Sequence, residues 1–408
     1  MAVVPIERAP RRVRTIPVTS SSWPRTAGRR ATAMLVLGAW PLLWFWLLSR
    51  HGGLSWHYFV TGGQLIADVG DKDGGLHLYA TRPDLQFGPL SVLVAAALLM
   101  LGNTAALFVA QVVTALAGLL ILLTVRTLAR DAHRHVTREV LDRRVLLAAI
   151  PFVPVWMNLA VRFVHIDDML ALLLTTGAIF ALRRRLPYAA ALLLGLSVDA
   201  KPWAIPFVAL LLLVEHRDRL RCLGLWAVTV AVAWLPFLAA DPRTINAGGF
   251  QIPVDPSSSL ALFGLGGMGT PVWTRAVQVV GGTLLAALAI RRRRWAGVVL
   301  LVVLARIVID PGAHSYYAAG VVVGAAMWDL VGTTRRLPWW TLTSALAFFA
   351  FRWVPQPDWG HGVITIAFFA AAVWWIALRP ADDVTPGGRW IIRLPSQDPV
   401  KALTCLGP

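Results

Sequence analysis

TAALFVAQVVTALAGLLILLTV, at residues 104–125, contains no charged side chain and is long enough to cross a bilayer. A transmembrane helix needs about 17–25 predominantly apolar residues, and similar runs recur at 222–238 and 362–378. Over all 408 residues, 57% are hydrophobic and 14% are charged, against about 25% charged in an ordinary soluble domain. The sequence therefore predicts an all-α, polytopic membrane protein. It shows no alternating amphipathic strands, which excludes a transmembrane barrel.

The formal charge of +17 is explained by membrane topology. Basic residues crowd at the ends of apolar runs, as at 183–185 and 291–294. Cytoplasmic anchors have this distribution, whereas a nucleic-acid-binding face interleaves basic and aromatic residues on one soluble surface. We therefore expect membrane lipids around the chain and no nucleic-acid partner.

The arginine distribution predicts the topology, because arginine-rich loops stay on the cytoplasmic side. We expect about twelve crossings of the plasma membrane with both termini cytoplasmic, and a long first extracytoplasmic loop. Residues 88–101, short and opened by Gly-Pro, are expected to form a juxtamembrane helix. The chain then divides into a basic cytoplasmic tail (1–32), a transmembrane domain (33–378) and a cytoplasmic C-terminal tail (379–408). The predicted spans are 33–48, 104–125, 146–163, 168–182, 187–200, 203–214, 222–240, 276–290, 295–310, 316–332, 338–353 and 362–378.

Charged side chains at the outer ends of these spans are the candidates for chemistry, because an ionisable group near hydrocarbon usually faces a cavity or a partner. In RFVHIDD, residues 162–168, an imidazole and two carboxylates interrupt two apolar runs. Asp167 and Asp168 could cap the following helix, but a helix cap does not require the imidazole of His165. We expect these three residues to serve proton transfer.

Lys201 lies between two short apolar helices and needs an anionic partner. Asp199 could neutralise it as a structural pair, and a phosphate is an equally good partner. Trp203 offers a face for a ring or a sugar.

Two further outer stretches carry polar and aromatic groups. In residues 306–317, Arg306 and Asp310 have helical i, i+4 spacing, which a salt bridge explains. His314, Tyr316 and Tyr317 have no such account, although the tyrosines could belong to an interfacial aromatic belt. The first loop adds His57 and Gln86. There is no P-loop, HExxH or CxxC motif, so we expect neither a cofactor nor a metal.

The order of these stretches resembles the GT-C class of integral-membrane glycosyltransferases, and within it glycosyltransferase family 87. QFGPL at 86–90 is similar to that family's proline-leucine signature. HIDD at 165–168 is similar to a G-H-P-E-D-like motif of a subgroup, and GLSVDAKPW at 195–203 to its glycine-to-lysine helix. DPGAHSYY at 310–317 fits the late outer loop in which relatives carry a histidine. The resemblance covers roughly residues 33–378.

The resemblance implies transfer of a sugar, with mannose the expected one, from a polyprenol-phosphate donor to a hydroxyl of a glycolipid or glycan on the extracytoplasmic side, with inversion and without a nucleotide. This sequence departs from the family pattern at Ser55. Mannosyltransferases of the family commonly place an acidic residue there, four positions before an aromatic one. Asp167 or Asp168 is then expected to act as the base, assisted or replaced by His57 or His165.

The other expected roles concern substrate binding. Lys201, with Arg306 or His314, would bind the donor phosphate. The sugar-binding candidates are Trp203, Tyr316, Tyr317 and Gln86.

Two alternatives stand beside this hypothesis. Twelve spans with both termini inside also suit a transporter or a flippase of lipid-linked glycan, although no counterpart of the first outer loop occurs in the second half. A catalytically inactive membrane scaffold is favoured by Ser55 alone.

Overall fold

The computed structural model describes residues 35–380 except 69, 71 and 356. Every regular element in this part of the chain is a helix, which confirms the all-α prediction. The predicted tail at 1–32 lies outside the described residues, as does the predicted C-terminal tail beyond residue 380.

Fourteen α-helices follow one another along the described chain, with short 3₁₀ and π segments between some of them. They are α1 Trp40–Ser49, α2 Trp56–Ala67, α3 Leu78–Thr81, α4 Pro89–Leu99, α5 Asn103–Ala132, α6 Arg138–Met157, α7 Ile166–Arg183, α8 Pro187–Ala200, α9 His216–Ala240, α10 Trp273–Arg291, α11 Val298–Ile307, α12 Tyr317–Met327, α13 Trp339–Phe348 and α14 Trp359–Ala372. A 3₁₀ helix, Pro202–Leu213, connects α8 to α9, and a π segment, Asn158–Phe163, extends α6.

Five of the described helices are long and apolar enough to cross a membrane, which is compatible with a membrane-embedded bundle. They are Asn103–Ala132, Arg138–Phe163, His216–Ala240, Trp273–Arg291 and Trp359–Leu378. Within the described residues, each of the twelve predicted spans overlaps a helix or a pair of helical segments. The number of crossings itself stays a prediction.

The predicted first outer loop is largely helical. Helix α2 forms within it because Trp56, Phe59 and Gly63 recur at helical spacing and bury one face against α4. At Gly63, a Cβ would lie 2.9 Å from the backbone nitrogen of Ala96, so the missing side chain permits the close crossing. Helix α4 begins at Pro89, whose fixed φ suits the first helical position.

Helices α11 and α12 form the centre of the bundle. Every residue of α11 is buried, as is every residue of α12 after Tyr317. A helix that is apolar on nearly every side, as α11 is except at Arg306, belongs in a protein interior or in lipid. By contrast α9 has only two buried residues, Cys222 and Phe237, so its surface is available to lipid.

Candidate active site

The ends of three helices meet around a buried group of charges. The start of α7 supplies His165, Asp167 and Asp168, the residue after α8 is Lys201, and Arg306 lies near the end of α11. We call these five residues the charge cluster. It is the grouping that the sequence predicted for the outer face.

A strained turn directs His165 into the cluster. Val164 has φ 59° and ψ 52°, in the left-handed region that β-branched residues rarely adopt. The turn lies between the π segment Asn158–Phe163 and α7. The backbone N–H groups of Leu54 and Ser55 donate to the carbonyls of Arg162 (2.9 Å) and Phe163 (3.0 Å), respectively. These hydrogen bonds hold the start of the predicted first outer loop against the turn. Ser55 is therefore buried beside the turn that leads to His165.

Asp167 is fully enclosed by polar partners. Its Oδ2 accepts a charged hydrogen bond from the Lys201 ammonium, and its Oδ1 lies 3.1 Å from His165 Nδ1. The backbone N–H of Asp168 also donates to Oδ1 at 2.8 Å. The residue is 1% exposed. Since a buried charge requires a partner, the Lys201 pair explains why a carboxylate is tolerated here.

Asp168 is held on one oxygen only. Its Oδ1 accepts from Trp203 Nε1 at 2.7 Å and from Arg306 Nη1 at 3.1 Å. Its Oδ2 is buried and has no hydrogen-bond partner among the described residues, and it lies 3.6 Å from His165 Nδ1. An oriented carboxylate with one unused oxygen can accept a proton.

Arg306 connects the carboxylates of the cluster to the loop before α12. Its guanidinium lies between two aromatic rings, 4.7 Å from the Trp203 centroid and 4.5 Å from that of Tyr317. Its Nε lies 3.6 Å from Asp310 Oδ2. The predicted i, i+4 pair is therefore present, and the same guanidinium also serves Asp168. Stacking between rings suits arginine because its guanidinium group is planar and weakly hydrated.

Three rings are stacked from the cluster outward. Tyr316 stacks on His165 with centroids 3.7 Å apart, and His314 lies nearly parallel to Tyr316 at 5.2 Å. Tyr317 donates its hydroxyl to Asp310 at 2.9 Å. His314 is exposed, so the stack leads from the buried carboxylates to the surface.

Nine of the eleven predicted site residues are thus brought together, and two are elsewhere. The nine are His165, Asp167, Asp168, Lys201, Trp203, Arg306, His314, Tyr316 and Tyr317. His57 is exposed on α2, with its ring 4.0 Å from that of Tyr58. Gln86 accepts from Arg275 at 3.1 Å and donates to the carbonyl of Phe250 at 3.4 Å. The described contacts do not join either residue to the cluster.

Asp310 was predicted to pair with Arg306 but not to belong to the site, and in the structure it also accepts the hydroxyl of Tyr317. Two other supporting residues, Asn158 and Ser315, were missed by sequence reasoning. Asn158 donates to Ser315 Oγ at 3.2 Å and so connects the π segment to the loop before α12. No spacing rule connects residues so distant in the chain.

A metal ion is the one cofactor that the cluster's donor set suggests. One ligand atom from each of His165, Asp167 and Asp168 lies within 4.8 Å of the others. However, Lys201 already binds Asp167 and Arg306 already binds Asp168. The carboxylates therefore carry little uncompensated charge for a cation, and the set fits a metal poorly.

No known protein family matches this chain, and no curated protein matches it.

Proposed function

We propose that the protein is a membrane glycosyltransferase that moves a sugar, mannose by the resemblance in sequence, from a polyprenol-phosphate donor to a hydroxyl of a glycolipid or glycan on the extracytoplasmic side of the plasma membrane. The observation that carries the proposal is the Asp168 carboxylate, which is fixed through Oδ1 and has no partner at Oδ2 among the described residues. The reaction also needs a cation for the leaving group, and the ammonium of Lys201 lies in the same cluster.

The proposed reaction is a single displacement. The acceptor hydroxyl gives its proton to Asp168 Oδ2 while its oxygen forms a bond to the anomeric carbon of the donor sugar. The bond between that carbon and the phosphate oxygen breaks, and its electron pair leaves with the polyprenol phosphate. Negative charge thus grows on the phosphate in the transition state. Fixed cations in a water-poor site stabilise such charge far better than water does.

Lys201 is the better placed cation for the phosphate. Its side chain is 14% exposed, whereas that of its partner Asp167 is 1% exposed. A phosphate arriving from the surface therefore reaches the ammonium before it reaches the carboxylate. Arg306 is occupied by two rings and two carboxylates, so we assign it to holding Asp168 in place.

The test is transfer from radiolabelled polyprenol-phosphate mannose by the full chain in proteoliposomes. Asp168→Asn should lower transfer at least about a hundredfold, the scale of losing one acid–base group. Asp199→Asn is the matched control, because Asp199 is also a buried carboxylate but makes no ion pair with Lys201 in the described structure. Equal activity in the two variants, or no transfer by the wild type, would refute the proposal.

A flippase of lipid-linked glycan is the second candidate. The observation that favours it is the broken helix at Lys201, where α8 ends and the 3₁₀ helix Pro202–Leu213 begins. Transporters place substrate sites at such breaks. A flippase would move a fluorescent lipid-linked glycan across the proteoliposome membrane without cleaving it. Neither the wild type nor Asp168→Asn would then transfer mannose.

A further inference from the structure

Two arginines at the end of the bundle that carries the charge cluster have no acidic partner. We call this end the cluster end. Arg162 belongs to the π segment that precedes the turn to His165, and Arg50 follows α1. Neither guanidinium forms an ion pair or a side-chain hydrogen bond with the residues that the structure describes. Their charges are therefore available to a group outside the chain.

The other arginines that the predicted topology places on the extracytoplasmic side each have a partner. They are Arg82 with Asp84, Arg243 with Asp241, Arg275 with Gln86, Arg306 with Asp168, and Arg352 in electrostatic interaction with Asp255. Membrane proteins concentrate their basic residues on the cytoplasmic side, so topology does not explain an unpaired arginine on the other side. Arg50 and Arg162 are the two arginines there that need a different explanation.

Each of these two guanidiniums lies over an exposed tryptophan ring. The Arg50 Cζ is 4.2 Å from the ring centroid of Trp46, and the Arg162 Cζ is 5.9 Å from that of Trp353. The two tryptophans are 53% and 69% exposed. A ring attracts a guanidinium through its face and uses none of the N–H donors at the guanidinium edge. The stacking thus positions each charge without neutralising it.

The two arginines belong to one surface because their backbone segments are hydrogen-bonded together. The Gly53 N–H donates to the Val161 carbonyl at 3.2 Å, and the Leu54 N–H donates to the Arg162 carbonyl at 2.9 Å. These bonds join the chain that follows Arg50 to the π segment. A single ligand at this surface can therefore meet both guanidiniums.

Helix α1 brings this surface to the lipid boundary. None of its residues is buried, and Leu42, Leu43 and Leu47 are 70%, 44% and 45% exposed. Its Trp44 ring packs edge-on against Phe349, at the end of α13, with centroids 6.3 Å apart. Apolar side chains on the surface of a membrane-embedded bundle face hydrocarbon, and tryptophan collects at the membrane–water interface. The two arginines therefore lie at the depth of lipid headgroups.

We propose that Arg50 and Arg162 together bind the phosphate of an anionic lipid in the leaflet at the cluster end. Guanidinium edges bind phosphate oxygens through paired N–H donors, and both edges are free for this. A lipid is the occupant because its acyl chains also cover the exposed leucines of α1, which a soluble anion cannot do. The inference goes beyond the proposed function, since this site is separate from Lys201, to which we assign the donor phosphate.

The experiment is photolabelling of the full chain in phosphatidylcholine nanodiscs by phosphatidylglycerol with a diazirine in its headgroup. Peptide mass spectrometry should find the label near Trp46 and Trp353. The double variant Arg50→Gln/Arg162→Gln should lower this labelling about tenfold, the product of two exposed charged contacts. Arg82→Gln/Arg243→Gln is the matched control, because it removes the same charge from arginines that pair with aspartates. The control should label as the wild type does.

Three outcomes would overturn the inference. They are equal labelling in the two double variants, displacement of the label by inorganic phosphate, and equal competition by unlabelled phosphatidylcholine and phosphatidylglycerol. Arg50→Gln alone should lower labelling about threefold. Because Arg50 is exposed, this single variant keeps the test decisive if the double variant fails to fold. The assay contains no sugar donor, so its result does not depend on the proposed function.

Discussion

Lys201 binds Asp167, at the start of α7, and not Asp199, which lies two positions before it on α8. The reason is the backbone at Lys201, which is extended with φ −151° and ψ 116° and so leaves the helix. The Lys201 side chain therefore points in a different direction from the side chains of the last residues of α8, and it reaches a different neighbour. Of the two partners that the sequence allowed for this ammonium, Asp199 is replaced by a third group, Asp167, and the binding of a phosphate stays a prediction.

The Lys201–Asp167 pair should be coupled energetically. Lys201→Met leaves the Asp167 carboxylate buried without its cation, and breaking one partner of such a pair costs about 3–5 kcal/mol. Asp167→Asn should destabilise for the same reason, and the double variant should recover at least half of the loss. Thermal unfolding in detergent, followed by tryptophan fluorescence, measures all three variants. Additive losses in the double variant would show that the two groups are independent.

Arg306→Lys should impair transfer although it conserves the charge. A lysine cannot lie flat between Trp203 and Tyr317 while reaching both Asp168 and Asp310. Loss of two cation–π contacts and of the oriented bond to Asp168 should lower kcat by about 10–100-fold, since each contact is worth about 0.5–2 kcal/mol. Arg243→Lys is the control, because the Arg243 side chain is 71% exposed and, among the described residues, pairs with Asp241 alone. Equal kcat in both variants would contradict the orienting role.

Chelation should not affect donor turnover. Each carboxylate of the cluster already binds a cationic side chain, so a divalent ion would have to displace Lys201 or Arg306 to bind. Transfer measured with excess EDTA should equal that of untreated protein. A loss that Mg²⁺ or Mn²⁺ restores would show that His165, Asp167 and Asp168 do act as metal ligands.

The sequence predicted the helices well because apolar length and charge placement are local properties. The segment at 203–214 illustrates this, since the structure has a helix at Pro202–Leu213. The grouping of His165, Asp168 and Lys201 was also predicted, because all three follow from the outer ends of spans. The sequence did not predict which side chains pair with one another within this group, since that depends on how each helix is rotated about its axis. His57 lies on the exposed face of α2 for the same reason, whereas Gln86 lies in the loop between α3 and α4.

The glycine of the QFGPL stretch should be essential for positioning Lys201. A Cβ at Gly88 would overlap the carbonyl oxygen of Asp199, and the Gly88 N–H donates to the carbonyl of Ala200 at 2.9 Å. Gly88→Ala should therefore push the end of α8 away and destabilise the protein by about 1–3 kcal/mol. Gly224→Ala is the matched control, because a Cβ there meets no atom within 4 Å and a helix interior favours alanine. Equal melting temperatures for the two variants would refute the close approach.

Protonation of His133 should destabilise the protein in mild acid. His133 lies in the loop between α5 and α6 and is 1% exposed. Burial, and then the positive charge of Arg144, lower the pKa of its imidazole from 6.5 to about 4. The unfolded chain therefore binds a proton at a higher pH than the folded chain does, so stability is full above about pH 6.5 and falls as the pH drops towards 4.

His133→Gln should flatten this part of the profile of melting temperature against pH, measured from pH 7.5 to 5. His135→Gln should not, because His135 is exposed. Parallel profiles for wild type and His133→Gln would mean that another group sets the acid limit.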